Sequence, residues 1–241
     1  MSTFSELGLR AEVCAALASY GFEAPTDIQA LAMPSILDGR DAYMSSATGT
    51  GKTLAYLAPA YSRLDPTLQR VQLVVAAPTH DLASQLAREA ERLAEASGLG
   101  IRVARALGSM PIARQLERLA DKPHVVVGSM GRLRDLVTSG HLAPADLRWA
   151  VLDEGDRLFE KESIDITGQF LAALPDTCSR VLVSATIPER TVERSSPWFR
   201  DAARLALDSS ESLRTTIEHW CFHAPSRSKI EFLRRFEAAV K

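Results

Sequence analysis

The segment Asp41–Leu57 reads Asp-Ala-Tyr-Met-Ser-Ser-Ala-Thr-Gly-Thr-Gly-Lys-Thr-Leu-Ala-Tyr-Leu: a short apolar strand pattern, a loop of small residues and the start of a helical pattern. A loop that enters a helix N-terminus aims backbone N–H groups at one point, and the helix dipole favours an anion there. Gly49 and Gly51 allow the backbone to wrap closely around that anion. Lys52 would reach its outer oxygens, and the Thr53 hydroxyl would hold Mg²⁺. The segment therefore predicts a phosphate-binding loop.

The first position of this loop departs from the general phosphate-loop pattern, which begins with Gly where this sequence has Ser46. A turn of small residues that merely precedes a helix is therefore an alternative interpretation. The triplet Gly51-Lys52-Thr53, together with the strand–loop–helix context, favours phosphate binding over that alternative.

Outside this segment, short apolar runs alternate with longer helical patterns. Runs such as Val125-Val126-Val127 are continuously apolar, as expected of strands that are buried on both faces. This alternation predicts an α/β fold with a parallel sheet of about seven strands and helices on both faces. Two helices, Ala11–Tyr20 and Asp27–Leu37, are predicted before the first strand. The predicted strands are Asp41–Ser45, Gln72–Ala77, Ile101–Leu107, His124–Gly128, Trp149–Asp153, Arg180–Ser184 and Ala203–Leu207.

Acidic residues follow one of these strands directly. The apolar run Trp149–Leu152 leads into Asp153-Glu154-Gly155-Asp156. An acid at the end of a parallel strand near a phosphate loop is placed to hold Mg²⁺, which suits Asp153, and Glu154 is placed to orient and deprotonate an attacking water. The alternative is a solvated acidic turn that caps a helix. In combination with the phosphate loop, the acids indicate a nucleoside triphosphatase.

Composition narrows the class of protein further. The 241 residues include 28 Lys and Arg against 30 Asp and Glu, a net charge of −2 that predicts no strong global attraction to nucleic acid. The three cysteines are odd in number and widely spaced, which argues against a disulfide framework and suits a reducing compartment. The sequence has neither a signal-like N-terminus nor an apolar run of about 20 residues, so a cytoplasmic protein without a membrane span is expected.

Taken together, the motifs resemble those of the first RecA-like domain of DEAD-box ATP-dependent RNA helicases, in the order expected of that family. The matching segments are Phe4 with Gly21–Gln29 (the Q motif), Ser46–Thr53 (motif I), Pro78–Ala83 with Gln85 (motif Ia), Gly108-Ser109, Ser129–Arg132, Asp153–Asp156 (motif II) and Ser184-Ala185-Thr186 (motif III).

The resemblance implies ATP and Mg²⁺ as cofactors, with Mg²⁺ held by Thr53 and Asp153, partly through water. A glutamine amide offers one donor and one acceptor side by side, which matches the adenine edge and mismatches guanine. The alternative interpretation of Gln29 is a surface helix residue, and that of Phe4 is a core residue. The implied nucleotide-binding residues are Phe4, Phe22, Thr26, Gln29, Ser46, Ala47, Thr48, Gly49, Thr50, Gly51, Lys52 and Thr53, and the implied catalytic residues are Lys52, Asp153, Glu154, Ser184 and Thr186.

The resemblance also implies binding to the RNA backbone without sequence specificity. This chain carries His80-Asp81 where the family has Arg-Glu, Met130 where it has Pro, and Gly155 where it has Ala; the glycine is expected to add backbone freedom without loss of chemistry. The Met130 replacement is expected to loosen its turn. The implied RNA-binding residues are Pro78, Thr79, Gly108, Ser129, Gly131 and Arg132.

The predicted organisation is a RecA-like domain over residues 1–207, with the Q motif at 4–29, a linker at 208–216, and the first strand and helix of a truncated second RecA-like domain at 217–241. Because the family's second domain supplies the transition-state arginines and half of the RNA groove, we expect this chain to be nearly inactive alone, and to be a monomer. An RNA clamp or scaffold with little unwinding is the alternative function, and a helicase-like ATPase that remodels DNA or protein–nucleic-acid complexes is a further one. His219, Cys221 and His223 would share one face of the predicted strand Ile217–His223, where ordinary strand residues are favoured over a metal site.

Overall fold

The computed structural model describes residues 2–108, 110–207 and 228–240, which fall into two units, Met1–Leu207 and Asp208–Lys241. The first unit is built on a seven-stranded sheet of order β3-β4-β2-β5-β6-β1-β7, and all of its strand pairs are parallel. The predicted α/β fold is therefore confirmed.

The strands lie within two residues of the predicted bounds. They are β1 (Ala42–Ser45), β2 (Leu73–Ala77), β3 (Val103–Ala106), β4 (Val125–Ser129), β5 (Trp149–Asp153), β6 (Ser179–Ser184) and β7 (Ala203–Ala206). The helices of the first unit are α1 (Ala11–Ser19), α2 (Asp27–Leu37), α3 (Lys52–Arg63), α4 (His80–Ser97), α5 (Ile112–Ala120), α6 (Met130–Thr138), α7 (Gly155–Leu158), α8 (Ile164–Ala172) and α9 (Glu189–Ser195).

Helices cover both faces of the sheet, so the central strands have no polar face. Every residue of β2 is buried, and alternate residues enter different cores: Leu73 and Val75 join the cluster that contains α1 to α4, whereas Val74 and Ala76 join the cluster that contains α6 and α8. This double coverage is the physical reason for the continuous apolar runs in the sequence.

The end of the first unit packs against the sheet through the adjacent aromatic residues Trp198 and Phe199. The Phe199 ring stacks on Tyr43 of β1 with a centroid distance of 4.8 Å, and Trp198 lies 6.1 Å from the ring of Phe159. Trp198 and Phe199 are thereby partly buried against the core cluster that contains α6 and α8.

In the second unit, the structure describes the helix α10 (Lys229–Val240), which lies within the segment 217–241 where the sequence predicts a strand and a helix. The predicted linker 208–216, the predicted strand 217–223 and the residues His219, Cys221 and His223 lie outside the described residues. Among the helices that are described, none has the length and apolar character required to cross a membrane.

Candidate functional site

The predicted site residues gather at the carboxyl edge of the sheet, where ligands bind in open parallel α/β sheets. The phosphate loop (Ser46–Thr53) follows β1, and Ser184 is the last residue of β6. The acidic residues Asp153–Asp156, hereafter called the acidic turn, begin at the last residue of β5. The predicted RNA-binding segments follow β2, β3 and β4. Because the strand order is β3-β4-β2-β5-β6-β1-β7, these two groups occupy adjoining halves of one edge.

The phosphate loop is closed by bonds among its own residues. Gly51 caps the N-terminus of α3 with a φ of 90°, a left-handed conformation that favours glycine. The Ser46 hydroxyl donates to Thr50 Oγ1 over 2.8 Å, and the Thr50 hydroxyl in turn donates to the Ala47 carbonyl over 2.9 Å. The serine that departs from the general pattern therefore stabilises the loop with its side chain.

The Lys52 ammonium lies against this loop. Its Nζ donates to the carbonyl oxygens of Ser46 and Ala47 over 2.5 and 2.7 Å, so two of its three protons are engaged. Burial lowers the pKa of Lys52, and the charges of Asp153 and Glu154 oppose that shift. The lysine thus sits between the loop and the acids as a cation that is partly removed from water.

A cleft of about 720 Å³ opens above the loop, a volume in the range of small-molecule sites. Its walls come from the phosphate loop, the N-terminal half of α4, the acidic turn and the end of β6. The lining residues are Thr48, Gly49, Gly51, Lys52, Thr53, Leu54, Leu82, Gln85, Leu86, Glu89, Asp153, Glu154, Asp156, Arg157, Ser184 and Ala185.

Asp153 is a buried carboxylate, 7% exposed, at the end of β5. Its Oδ2 accepts a 2.8 Å hydrogen bond from the Tyr56 hydroxyl, and its Oδ1 accepts a 2.9 Å bond from the Glu154 backbone N–H. Burial raises the pKa of Asp153, whereas the Tyr56 and Glu154 hydrogen bonds and the Lys52 charge lower it. Burial is the largest of these effects, so the pKa of Asp153 lies above its usual value.

Glu154 adopts a left-handed backbone conformation that is uncommon for a residue other than glycine, with a φ of 47°. Its Oε2 pairs with Nη1 of Arg157 over 3.0 Å, and 43% of the Glu154 side chain is exposed. The strained turn therefore directs Glu154 away from the buried position of Asp153, with its carboxylate accessible to solvent.

Two residues of this site, Tyr56 and Arg157, were missed in the sequence. Tyr56 lies four residues after Lys52 and three after Thr53 in α3, a spacing that places all three on one helix face. Arg157 lies three residues after Glu154 and pairs with it. These spacings are the signals that could have identified them.

The residues present fit a bound Mg²⁺. Mg²⁺ takes oxygen ligands and is usually held by one or two protein groups together with phosphates and water. Thr53 and Asp153 both line the cleft and offer a hydroxyl and a buried carboxylate. Within the described ranges there is no cluster of three or more His, Cys, Asp or Glu residues suited to a metal bound by protein groups alone.

Gln29 is buried, with 4% of its surface exposed, so its alternative interpretation as a surface helix residue is wrong. Its Oε1 accepts from the Thr26 backbone N–H over 3.0 Å, and its Nε2 donates to the Gly51 carbonyl over 3.2 Å. The Thr26 hydroxyl donates to the Thr50 carbonyl over 2.8 Å. The Q-motif residues thus support the phosphate loop directly.

The two predicted aromatic residues of the nucleotide site differ in exposure. Phe4 is 5% exposed and belongs to the core cluster that contains α1 to α4, whereas Phe22 is 43% exposed. The Phe22 ring meets Tyr20 edge to face at 6.4 Å. Of the two rings, Phe22 is therefore the one accessible to a ligand.

The two implied catalytic residues of motif III are also placed differently. Ser184 is buried at the end of β6, and its hydroxyl donates to Asp156 Oδ1 over 2.8 Å. Thr186 is exposed beyond the strand. Of the two, Ser184 is the one that hydrogen-bonds to the acidic turn.

On the other half of the edge, three segments meet at Gly108. The Gly108 N–H donates to His80 Nδ1 over 3.3 Å, and Arg132 Nη2 donates to the Gly108 carbonyl over 3.3 Å. Thr79 caps α4 by accepting from the Leu82 N–H over 3.3 Å. His80, Gly108 and Arg132 are hereafter called the basic edge cluster.

The remaining predicted RNA-binding residues lie next to this cluster. Pro78 follows β2 and is half-buried, Ser129 ends β4 with 7% exposure, and Gly131 lies in the first turn of α6. Met130 begins α6 and is 4% exposed within the second core cluster, so packing surrounds its side chain. The loosened turn before Gly131 stays a prediction.

The surroundings of Gly155 are closely packed and do not provide the backbone freedom that the sequence predicted. It is buried with no positive φ, and a Cβ at this position would lie 2.4 Å from Leu182 Cγ. Leu182 belongs to β6 and is itself fully buried. The glycine therefore allows the acidic turn to pack directly on that strand.

Comparison with known proteins agrees with this geometry. The family model for the DEAD/DEAH box helicases matches residues 26–195. The RNA helicase CrhR of Synechocystis is 36% identical over 93% of this chain and 45% of its own length, and the ATP-dependent RNA helicase DeaD of Escherichia coli K12 is 34% identical over 98% of this chain and 37% of its own length.

The fold comparison gives a consistent result. A DEAD box protein from Methanococcus jannaschii superposes with a TM-score of 0.78 at 26% identity, covering 97% of this chain and 62% of that chain. The present chain spans less than half the length of the two curated relatives. The matched motifs, the sheet order and these similarities lead to one conclusion: the chain belongs to the DEAD/DEAH box helicase family.

Proposed function

We propose that this chain is the nucleotide-binding first half of an ATP-dependent RNA helicase, and that the whole protein couples ATP hydrolysis to the unwinding or remodelling of RNA duplexes. The observation that carries the proposal is the carboxyl edge of the sheet, on which the phosphate loop and acidic turn adjoin the basic edge cluster. The relatives DeaD and CrhR are named as RNA helicases, which supports the same function.

ATP is expected to bind with its outer phosphates over Thr48, Gly49 and Gly51, at the positive end of α3. Lys52 retains one ammonium proton beyond those given to Ser46 and Ala47, and this proton is available to a phosphate oxygen. A phosphate oxygen accepts a stronger hydrogen bond from the Lys52 ammonium than either carbonyl oxygen does, because the phosphate is charged.

Thr53 and Asp153 would hold Mg²⁺, partly through water, and the ion would supply neutralisation of the phosphate charge. Glu154, accessible in the cleft and paired with Arg157, accepts a proton from the attacking water. Ser184 links the acidic turn to the end of β6 and, with Thr186, is proposed to relay the nucleotide state.

Adenine recognition is proposed for Gln29, with Phe22 as the accessible aromatic residue nearby in sequence. The Gln29 amide still has a second Nε2 proton and a second Oε1 lone pair beyond those used by Gly51 and Thr26. Because the amide is already held on both sides, its orientation is fixed before a base arrives, which favours discrimination.

RNA is proposed to bind through its backbone at the helix N-termini of α4 and α6 and at the basic edge cluster. Backbone amides and helix N-termini bind phosphates without reading bases. This local arrangement explains how a chain with a net charge of −2 can bind a polyanion.

A second RecA-like domain of the whole protein is proposed to supply the transition-state arginines and the other half of the RNA groove. The chain of residues 1–241 alone should therefore hydrolyse ATP negligibly and unwind nothing, and RNA-stimulated turnover by it would contradict this part of the proposal. A monomeric, cytoplasmic protein is proposed on the same family grounds.

A nucleotide-gated RNA clamp is the second candidate, favoured by His80. Its imidazole already accepts the Gly108 N–H, an amide that would otherwise face a phosphate. A duplex-unwinding assay on the whole protein separates clamp from helicase, and competition between RNA and DNA tests the DNA-remodelling alternative.

The proposal is tested by displacing a fluorescent ADP from this chain with ADP, GDP and CDP. Wild type should prefer ADP by about tenfold or more, the value of one or two hydrogen bonds, and Gln29→Ala should lose that preference.

The readout is the ratio of the affinity for ADP to the affinities for GDP and CDP, since the variant also loses the support that Gln29 gives to the phosphate loop. Gln72→Ala is the matched control: Gln72 is equally buried and bonds Asp65 twice, at the opposite edge. Binding that ignores the base in wild type would contradict the adenine site.

A further inference from the structure

Tyr56 connects the helix that follows the phosphate loop to the acidic turn. Its side chain is fully buried in α3, and its hydroxyl donates to Asp153 Oδ2 over 2.8 Å across 97 residues of sequence. Lys52 and Thr53 lie on the same face of α3, one turn earlier. The contact therefore joins the residues that face a phosphate to the carboxylate on the opposite side of the cleft.

We propose that Tyr56 is a positioning residue that holds the Asp153 carboxylate in the orientation required to bind a divalent cation with the nucleotide. This inference rests on the proposed function, since it assumes that Asp153 meets Mg²⁺. It adds a residue that acts through Asp153 and does not itself touch the cation.

The geometry of Asp153 supports this role. A carboxylate group rotates broadly about its last torsion, so one hydrogen bond fixes it poorly. Here Oδ1 is held by the Glu154 N–H at 2.9 Å and Oδ2 by Tyr56 at 2.8 Å, from two different elements. The two bonds set the plane of the group and use two of its roughly four lone-pair sites, and the remainder are free for a cation or its water.

Partners of this kind tune metal binding without direct contact. When a hydrogen-bond partner of a ligating group is removed, metal affinity typically falls by about 10–100-fold. Loss of the Tyr56 hydroxyl leaves a buried carboxylate oxygen without its donor and free to rotate away from α3. The cost should appear in the cation-dependent part of nucleotide binding.

Tyr61 provides a matched control within the same helix. It is fully buried, like Tyr56, and its hydroxyl donates to the Ala90 carbonyl over 2.8 Å, far from the acids. Tyr56→Phe and Tyr61→Phe therefore delete the same group from the same helix, and each retains the aromatic ring that fills the core. Only the partner of the lost hydroxyl differs.

The experiment measures fluorescent ADP binding to wild type and both variants, in EDTA and across a MgCl₂ titration, with circular dichroism to confirm folding. In Tyr56→Phe the Mg²⁺ concentration at half effect should rise about tenfold or more, with ADP affinity in EDTA unchanged. Tyr61→Phe should stay within about twofold of wild type in both measurements, although both variants lose similar thermal stability.

A double variant tests the inference independently of the single substitution Tyr56→Phe. In an Asp153→Asn background, Tyr56→Phe should produce no further change in the Mg²⁺ titration, because the carboxylate it positions is gone. A Mg²⁺ midpoint in Tyr56→Phe within about twofold of wild type overturns the Tyr56 inference while leaving the proposed function intact. Nucleotide binding by wild type that ignores Mg²⁺ overturns both.

Discussion

The Ser184 hydroxyl donates a 2.8 Å hydrogen bond to Asp156 Oδ1, so the end of β6 is fastened to the acidic turn that follows β5. The carbonyl oxygen of the same serine accepts a 3.3 Å bond from the backbone N–H of Ser46, at the start of the phosphate loop. Ser184 is therefore hydrogen-bonded to both the phosphate loop and the acidic turn, so a movement of one can be transmitted to the other through this residue. This gives a physical basis for a relay at Ser184.

Ser184→Ala should lower the free energy of unfolding by about 1 kcal/mol, because it leaves the half-buried Asp156 carboxylate without a donor. Urea denaturation measures this loss. Ser179→Ala is the control on the same strand, since the buried Ser179 hydroxyl donates to the Arg40 carbonyl over 2.7 Å at the opposite edge. Both variants should lose similar stability, but only Ser184→Ala should weaken ADP binding; equal ADP affinities would contradict a link to the nucleotide site.

Gly155→Ala should destabilise the fold by about 1–3 kcal/mol, because the added Cβ would lie 2.4 Å from Leu182 Cγ in a packed core. Gly131→Ala is the control, since no atom lies within 4 Å of a Cβ there and the residue is in α6. That variant should be neutral or slightly stabilising, by up to about 1 kcal/mol.

The clash itself is tested by a double substitution. Leu182→Ala should cost less stability in the Gly155→Ala background than in wild type, by about 1 kcal/mol or more, because the smaller side chain makes room for the Cβ. Strictly additive losses in urea denaturation would show that Leu182 is not the reason for the glycine.

The strands could be predicted from the sequence because a strand that is buried on both faces has a continuous run of apolar residues. β2 and β4 are buried at every residue, as their apolar runs in the sequence indicate. The order of the strands could not be read in the same way, since an apolar run carries no information about its neighbour. The division of the carboxyl edge into two halves therefore emerged only from the structure.

The residues missed in the site are those whose role depends on a distant partner. Tyr56 sits in an apolar helical pattern and resembles core, and its partner Asp153 lies 97 residues away. Gly155 looked like a source of flexibility because the side chain that requires it, Leu182, belongs to another strand. Motif residues such as Lys52 were predictable because their chemistry depends on neighbours in sequence.

His124 should make stability fall at acidic pH. It is fully buried, and its Nδ1 accepts the Arg102 backbone N–H over 2.9 Å. Burial, with the charge of Arg102, lowers the pKa of His124 from its ordinary value of 6.5. The unfolded chain therefore binds a proton at higher pH than the folded one, so stability is complete above about pH 6.5 and is lost as the pH falls below it.

Urea midpoints measured from about pH 8 to about pH 5 test this expectation. His124→Asn keeps an acceptor near Nδ1 without titrating, so its midpoint should fall less steeply than that of wild type over the acidic half of the range. His141→Ala, which alters an exposed histidine, should retain the wild-type slope. An unchanged slope in His124→Asn would assign the acid sensitivity to other groups.

His80→Arg should strengthen RNA binding, because it acts on the basic edge cluster in two ways. Arginine carries a permanent charge, and it cannot accept the Gly108 N–H that now bonds His80 Nδ1 over 3.3 Å. One new phosphate contact and one released amide should raise affinity several-fold, and the logarithmic salt dependence should steepen by about 0.7 for one added contact to a single strand.

Fluorescence anisotropy with a labelled RNA of about ten nucleotides, titrated at several KCl concentrations, measures both quantities. His141→Arg adds the same charge at an exposed histidine after α6, where Nδ1 meets the Ser139 hydroxyl, outside the cluster. If the effect is local to the edge, His80→Arg gains affinity and slope while His141→Arg changes little. Equal gains in both variants would mean that RNA responds to overall charge, and the three strand ends that meet at Gly108 would then lose their assigned part in RNA binding.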